Sequence, residues 1–259
     1  MTQWIPLSRT AHADHGYTPR EGYHHAAGRM IAPVMLAELP KLLPHYVLGF
    51  LAGDDGSLPV AVLGVEKHRN LYLHPDGRWL GKYVPAALRG YPFVLAAQHK
   101  PASQGDKTLS IAEAHLVEEG GQPLFDGGEP AKPVADALAF LTQCEHSRHA
   151  TKAACQALES AGVLVPWKLI VPIGDGHQQV NGLYRVDEQA LNALGAATYA
   201  TLQGAPMQLA YAQLFSTHQT EQLTQRAALH EKLAETQTPP ADLDAVFGDT
   251  DDLEFDFDH

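Results

Sequence analysis

The segment with the clearest chemical potential is His74-Pro75-Asp76. A His-x-Asp pair on a strand is two-thirds of the facial triad that holds non-haem iron, and the third ligand is a second histidine further along. Alternate strand positions put both side chains on one face. His115, His146, His149 and His177 lie downstream and are available for that role. The competing reading is structural. Asp76-Gly77 is a tight-turn dipeptide, and an aspartate in a turn aims its carboxylate at nearby backbone N–H groups. On that reading no cofactor is expected; Fe(II) or Zn(II) enters only with a metal-dependent, oxygenase-like or hydrolase-like use of His74 and Asp76.

Two other histidine groups invite the same question. His12 and His15 stand three apart in His-Ala-Asp-His-Gly, without the Cys or acidic spacing of a closed metal site. Glu145 and His149 lie four apart and share a helix face, but the His-Glu-x-x-His pattern of zinc hydrolases is absent. Both groups read as solvated surface. There is no Gly-x-Ser-x-Gly elbow for a serine nucleophile and no Gly-x-Gly-x-x-Gly opening a helix. The Gly-Gly of Phe-Asp-Gly-Gly-Glu-Pro is followed by no Lys-Ser/Thr, so it cradles no phosphate. Cys144 and Cys155 are eleven apart in a helical stretch, roughly 16 Å at 1.5 Å per residue, too far for a disulfide.

Positive charge gathers around the same segment. Arg69, Arg78, Lys82 and Arg89 accompany Trp79, Tyr83 and Tyr91 in Arg69–Phe93, within a chain of net charge −12. Arginine suits carboxylate recognition because its planar fork matches two oxygens. Arg69, Arg78, Trp79, Tyr83, Arg89 and Tyr91 are therefore the expected surface for an anionic ligand or a protein or peptide partner. Eighteen basic residues against thirty acidic ones argue against nucleic acid and anionic membranes. No apolar run reaches the roughly 20 residues of a membrane span, and no secretory signal is visible at the start. With no disulfide, the expectation is a cytoplasmic protein. The oligomeric state leaves no mark on the sequence.

The elements that position these residues read as follows. Leu71–His74 and Arg78–Gly81 form a hairpin across Asp76-Gly77. Tyr46–Ala52 and Val60–Glu66 precede it, giving four consecutive antiparallel strands. Ala86–Gly90 is a short helix between Pro85 and Pro92. Phe93–Gln98 and Leu109–Glu113 are two more strands. Residues 119–133, rich in Gly and Pro, are a surface loop. A long helix runs from Val134 to Ser160 and stops at Gly162. Val163–Pro172 is an edge strand, since Pro166 and Pro172 withhold ladder donors, and Val180–Val186 is another strand. Asp187 caps a helix, Gly195 and Gly204 bracket a second, and Gln219–Glu235 is amphipathic. Met207–Leu214 fits either helix or strand. The fold class is α+β, with a mostly antiparallel sheet from the first half and helices from the second half packed on it.

At Asn70–Phe93, NLYLHPDGRWLGKYVPAALRGYPF, the sequence resembles the signature of the bacterial SapC-like family. Its members read Asn-Leu-Phe, an acidic-Gly-x-Trp turn, Tyr-x-Pro-Ala and Arg-x-Tyr-Pro-Phe. The resemblance extends to VAVLGVEKHRN, LFDGGEP, GLYRVDEQALNAL and MQLAYAQLFSTHQTEQL, covering about residues 25–230. The family's namesake is associated with a surface layer, which implies no activity, and no catalytic residues carry over. The resemblance implies a domain over 25–235, flanked by a His-rich arm, residues 1–30, and an acidic aromatic tail, residues 236–259. Phe247, Phe255 and Phe257 in that tail suit a docking peptide for a partner or a neighbouring protomer. The expected function is a binding or accessory one, with the metal enzyme as the alternative.

Overall fold

A computed structural model describes residues 2–53, 56–97 and 107–237. The tail with Phe247, Phe255 and Phe257 lies outside the described residues.

The chain begins with β1 (Trp4–Pro6), β2 (Gly16–Tyr17), β3 (Ile31–Pro33) and helix α1 (Leu39–Leu42). Strands β4 (Leu48–Leu51) and β5 (Leu58–Val62) follow, then helix α2 (Ala86–Arg89). Strands β6 (Phe93–Ala97) and β7 (Lys107–Ala112) come next, with the short pieces β8 (Leu116–Val117), β9 (Gln122–Pro123), β10 (Phe125–Asp126) and β11 (Glu129–Pro130). The long helix α3 spans Lys132–Ser160. Strands β12 (Leu164–Ile173) and β13 (Gly176–Val186) form a hairpin, followed by α4 (Glu188–Asn192), α5 (Ala196–Thr201), α6 (Ala205–Ser216) and α7 (Thr220–Gln237). The architecture is α+β with antiparallel sheets, as the element pattern indicates.

The main sheet has five strands in the order β12-β13-β4-β5-β3. Two of its strands therefore come from the second half of the chain. β12 sits on the edge, where its prolines cost no ladder bond. β13 and β4 pair only at Leu183↔Leu51 and Tyr184↔Phe50. Beyond that point the strands part, and α6 fills the gap with polar side chains. Buried Gln213 accepts from the Val186 N–H (2.8 Å) and donates to the Leu48 carbonyl (3.4 Å). Ser216 Oγ accepts from the Leu48 N–H at 2.9 Å. Helix, not strand, is what Met207–Leu214 forms, because that register supplies partners for backbone groups that would otherwise be buried bare.

The expected hairpin at 71–81 is corrected in part. Its turn exists: Gly77 N–H donates to the His74 carbonyl (2.9 Å) and Gly77 takes φ 87°, the left-handed residue that closes a three-residue loop. Its strands do not. The arms meet in a single bridge, Leu73↔Trp79, and join none of the four sheets formed by the described residues. Aromatic packing replaced the ladder. Tyr72 stacks on Tyr46 at 4.5 Å and on Trp79 at 5.9 Å, and the Tyr72 hydroxyl donates to the His45 carbonyl (2.6 Å). Arg226 of α7 lies over the Tyr72 ring at 4.1 Å. Its Nε is the buried side-chain nitrogen without a hydrogen-bond partner among the described residues, and the ring face stands opposite the cation instead.

The first thirty residues do not stand apart from the fold. β1 pairs with β7 in the sheet β1-β7-β6, and β2 lies between β8 and β9. Tyr17 and Ala26 are buried. Tyr17 joins Phe93, Ile111, Leu124 and Val134 in a second, smaller core beside the one under the main sheet. The loop expected at 119–133 likewise contains β9 and the β10–β11 hairpin.

Two substitutions probe this packing. A Cβ on Gly64 would stand 1.9 Å from the Arg69 carbonyl oxygen, backbone that cannot swing away. Gly64→Ala is expected to cost about 3 kcal/mol or more in urea unfolding. Asp187 accepts from the Gln189 (3.0 Å) and Ala190 (3.1 Å) N–H groups at the start of α4, so Asp187→Ala should cost only about 1 kcal/mol.

Candidate functional site

The six residues expected as one recognition surface are divided by the fold. Arg69 pairs with Glu66 (3.3 Å) on the loop after β5. Arg78 is tied to Asp76 within the turn, Nε to Oδ2 at 2.6 Å. Trp79 is a structural ring, its Nε1 donating to the Tyr46 hydroxyl (2.9 Å) and the Tyr83 carbonyl (3.1 Å). Tyr46 in turn donates to that same carbonyl. Tyr91 stacks on His25 at 4.1 Å and 7°. Burial pulls His25 down to about 4, so that ring is a neutral platform at physiological pH. Tyr83 and Arg89 remain together at one cavity, and Arg89 and Tyr91 at another.

The first cavity, about 260 Å³, lies between the turn preceding α1, the Tyr83–Arg89 segment and α3. Its polar floor is Glu38, 4% exposed. Glu38 Oε1 accepts from the Met35 N–H at 3.0 Å. Oε2 accepts from the Ala86 N–H at 2.8 Å and the Tyr83 hydroxyl at 3.0 Å. Burial raises the Glu38 carboxyl above its ordinary value, with these hydrogen bonds and Arg89 pulling the other way. Burial and the neighbouring Glu38 push Tyr83 up to about 12. The phenol therefore keeps its proton for Glu38 and accepts from Arg89 Nη2 at 3.1 Å.

Arg89 stands over two rings, 5.3 Å from the Tyr83 centroid and 4.8 Å from that of Phe140 on α3. Lys41 approaches the Tyr83 ring at 5.8 Å. No ion pair holds either cation among the described residues, unlike Arg69 and Arg78. Cys144 lines the same cavity, and burial raises its thiol, which disfavours the nucleophilic thiolate. What the arrangement offers is two cations and aromatic faces around a small opening, with the one carboxylate already engaged by three donors.

Sequence reasoning missed Glu38, Lys41 and Phe140. The Met35-x-x-Glu38 spacing is that of a capping box with the Glu half in place, Glu38 reaching back to the Met35 N–H. A Met in the capping position conceals the signal. Thr151 of α3 secures the same turn, its hydroxyl accepting from the Leu36 N–H at 3.0 Å.

The iron-type pair lies within the turn at Asp76-Gly77. His74 Nδ1 lies 2.8 Å from Asp76 Oδ1, and the Arg78 N–H donates to that oxygen at 3.0 Å. The hydrogen bond from the Arg78 backbone leads the effects that hold Asp76 at about 2. The carboxylate serves the turn, as the structural reading has it. Among the described residues no group of three or more His, Cys, Asp or Glu side chains could hold a metal ion. His115, His146, His149 and His177 do not gather at His74; His24, His68 and His230 line the pocket beside it. His12 accepts from the Ser8 N–H at 3.0 Å, a turn contact. Glu145 is partly buried and pairs with Lys107 of β7, with Arg148 (3.3 Å) and with the exposed His149 (3.6 Å). No helix among the described residues is long and apolar enough to cross a membrane.

A carboxyl whose folded pKa exceeds its unfolded one is favoured protonated, so its contribution is fullest below the unfolded pKa. It declines as pH rises through the folded pKa. Wild type should therefore lose stability relative to Glu38→Gln between pH 4 and pH 8, measured by urea unfolding at both. At low pH the variant should be the less stable by about 1–3 kcal/mol, because an amide NH₂ faces donors there.

The SapC family model matches residues 7–223. No curated protein matches the chain, and no solved structure does.

Proposed function

The chain belongs to the SapC family, and we propose that it is a binding or accessory protein that seats an anionic group, a carboxylate of a small ligand or of a partner peptide, beside Arg89 and Lys41. The observation that carries this reading is the contrast among the three arginines of Arg69–Phe93. Arg69 and Arg78 are paired with Glu66 and Asp76. Among the described residues Arg89 is held by ring faces and the Tyr83 hydroxyl, in an exposed position. Glu38 fixes Tyr83, and Tyr83 fixes the guanidinium, so the fork is oriented before any ligand arrives. Preorganisation lowers the ordering cost of binding. Phe140, Met35 and the Tyr83 face supply apolar wall for the stem of an acidic side chain.

The second cavity on the other side of Arg89 extends the surface. Arg20, Tyr17, Tyr91, Pro92, Phe93 and Phe140 line it. Arg89 and Phe140 belong to both cavities, which suits a peptide whose acidic residue is flanked by apolar ones.

Titration with acetate, succinate and citrate tests the reading, with the Arg89 Nε–Hε and Tyr83 ring NMR signals as reporters. Saturable shifts are expected in the wild type. Arg89→Gln should weaken binding about tenfold or more, the scale of one charge-assisted hydrogen bond. Arg69→Gln and Arg78→Gln should leave it unchanged. No saturable shift at all, or equal losses in the three variants, would contradict the proposal.

A further inference from the structure

A third pocket, separate from Arg89, is lined by four imidazoles and a guanidinium: His24, His68, Arg69, His74 and His230. They come from four parts of the chain. His24 belongs to the turn after β2, His68 and Arg69 to the loop after β5, His74 to the turn at Asp76-Gly77, and His230 to α7. We propose that this pocket is the seat of the chain's own acidic C-terminal segment, residues 238–259.

The pocket is built, with its rings held in place. His230 is 9% exposed and its Nε2 bonds the Leu71 carbonyl at 3.2 Å. His74 is anchored through Nδ1 to Asp76 at 2.8 Å. Neither His230 Nδ1 nor His74 Nε2 has a hydrogen-bond partner among the described residues. His24 lies so close to the turn that a Cβ on Gly77 would stand 2.4 Å from its Nε2. His68 has φ 62°, a left-handed conformation rare outside glycine and found at no other non-glycine among the described residues. Backbone strain of this kind is kept only where the surroundings impose it, and it concentrates at sites.

The occupant follows from charge and from where the chain leaves the fold. Residues 238–259 carry eight of the thirty acidic residues and no Lys or Arg. α7 ends at Gln237, seven residues beyond His230, about 10 Å along the helix axis. Asp242 and Asp244 follow within a span of chain that reaches back roughly 16–23 Å when extended. Attachment holds these carboxylates at a high effective concentration.

Three arginines near the rings are paired or engaged: Arg69 with Glu66, Arg78 with Asp76, and Arg226 of α7 over the Tyr72 ring. The pocket's charge is thus set mainly by its imidazoles. Burial lowers His230, and Arg69 and His74 add to that. A docked carboxylate opposes these effects and raises the rings. Docking therefore strengthens as pH falls through the imidazole range and holds while the carboxylates remain ionised, to about pH 4.

The test is imidazole titration by NMR on the full chain, wild type against a variant with the seven Asp of 238–259 changed to Asn and Glu254→Gln. His24, His68, His74 and His230 should titrate about one pH unit higher in the wild type, with His146, His149 and His177 unmoved. The difference should be independent of protein concentration. Added inorganic phosphate should shift the four rings more in the neutralised variant, whose pocket is vacated. Equal titration in both proteins, a difference that grows with concentration and so reports a second copy, or phosphate shifts of equal size would each overturn the proposal.

Discussion

One buried carboxylate sets the geometry on which the candidate site depends. Glu38 has three donors from two parts of the chain: its own turn through Met35, and the Tyr83–Ala86 segment through a phenol and a backbone N–H. A carboxylate in this position costs free energy to desolvate unless its oxygens are met by donors. The same donors join the turn before α1 to the entry of α2. Without them the Tyr83–Arg89 segment would be fastened at its start by the Trp79 and Tyr46 contacts to the Tyr83 carbonyl, and its side chains would lose their common reference.

The aromatic stack beneath that segment does a different job. Tyr46, Tyr72 and Trp79 bury large faces and turn their polar ends toward backbone carbonyls. This converts a segment of turns, which has few ladder bonds, into a rigid piece of the core. It also explains why cations close in sequence have different fates. Arg78 leaves the turn pointing outward and takes the nearest carboxylate. Arg89, at the end of α2, lies over Tyr83 and Phe140 and stays unpaired among the described residues.

Much of the fold was legible because its signals are local. Asp187 as a cap, Gly162 as a stop, prolines marking β12 as an edge and Asp76-Gly77 as a turn each act within a few residues. The arms of that turn were misread as strands because Leu-Tyr-Leu suits a pleated surface as well as an aromatic cluster, and sequence does not show which partner is present. The main sheet's borrowed strands, β12 and β13, depend on pairing across more than a hundred residues. Arg89 and Tyr83 were visible as chemistry. Glu38 and Phe140 were not, since nothing in Leu-Ala-Glu-Leu or in an amphipathic helix says which segment will cover it. The same limit hid the histidine pocket, which draws residue types from positions 24, 68, 74 and 230.

Glu38 holds the Tyr83–Arg89 segment, and through it the guanidinium, in a fixed place. Amide hydrogen exchange on Glu38→Gln tests this most directly. The expected loss of protection is confined to Met35, Ala86 and the adjoining amides of α2, with the five-stranded sheet exchanging as in the wild type. Unchanged protection at Ala86 would contradict it, as would a loss spread evenly over the sheet.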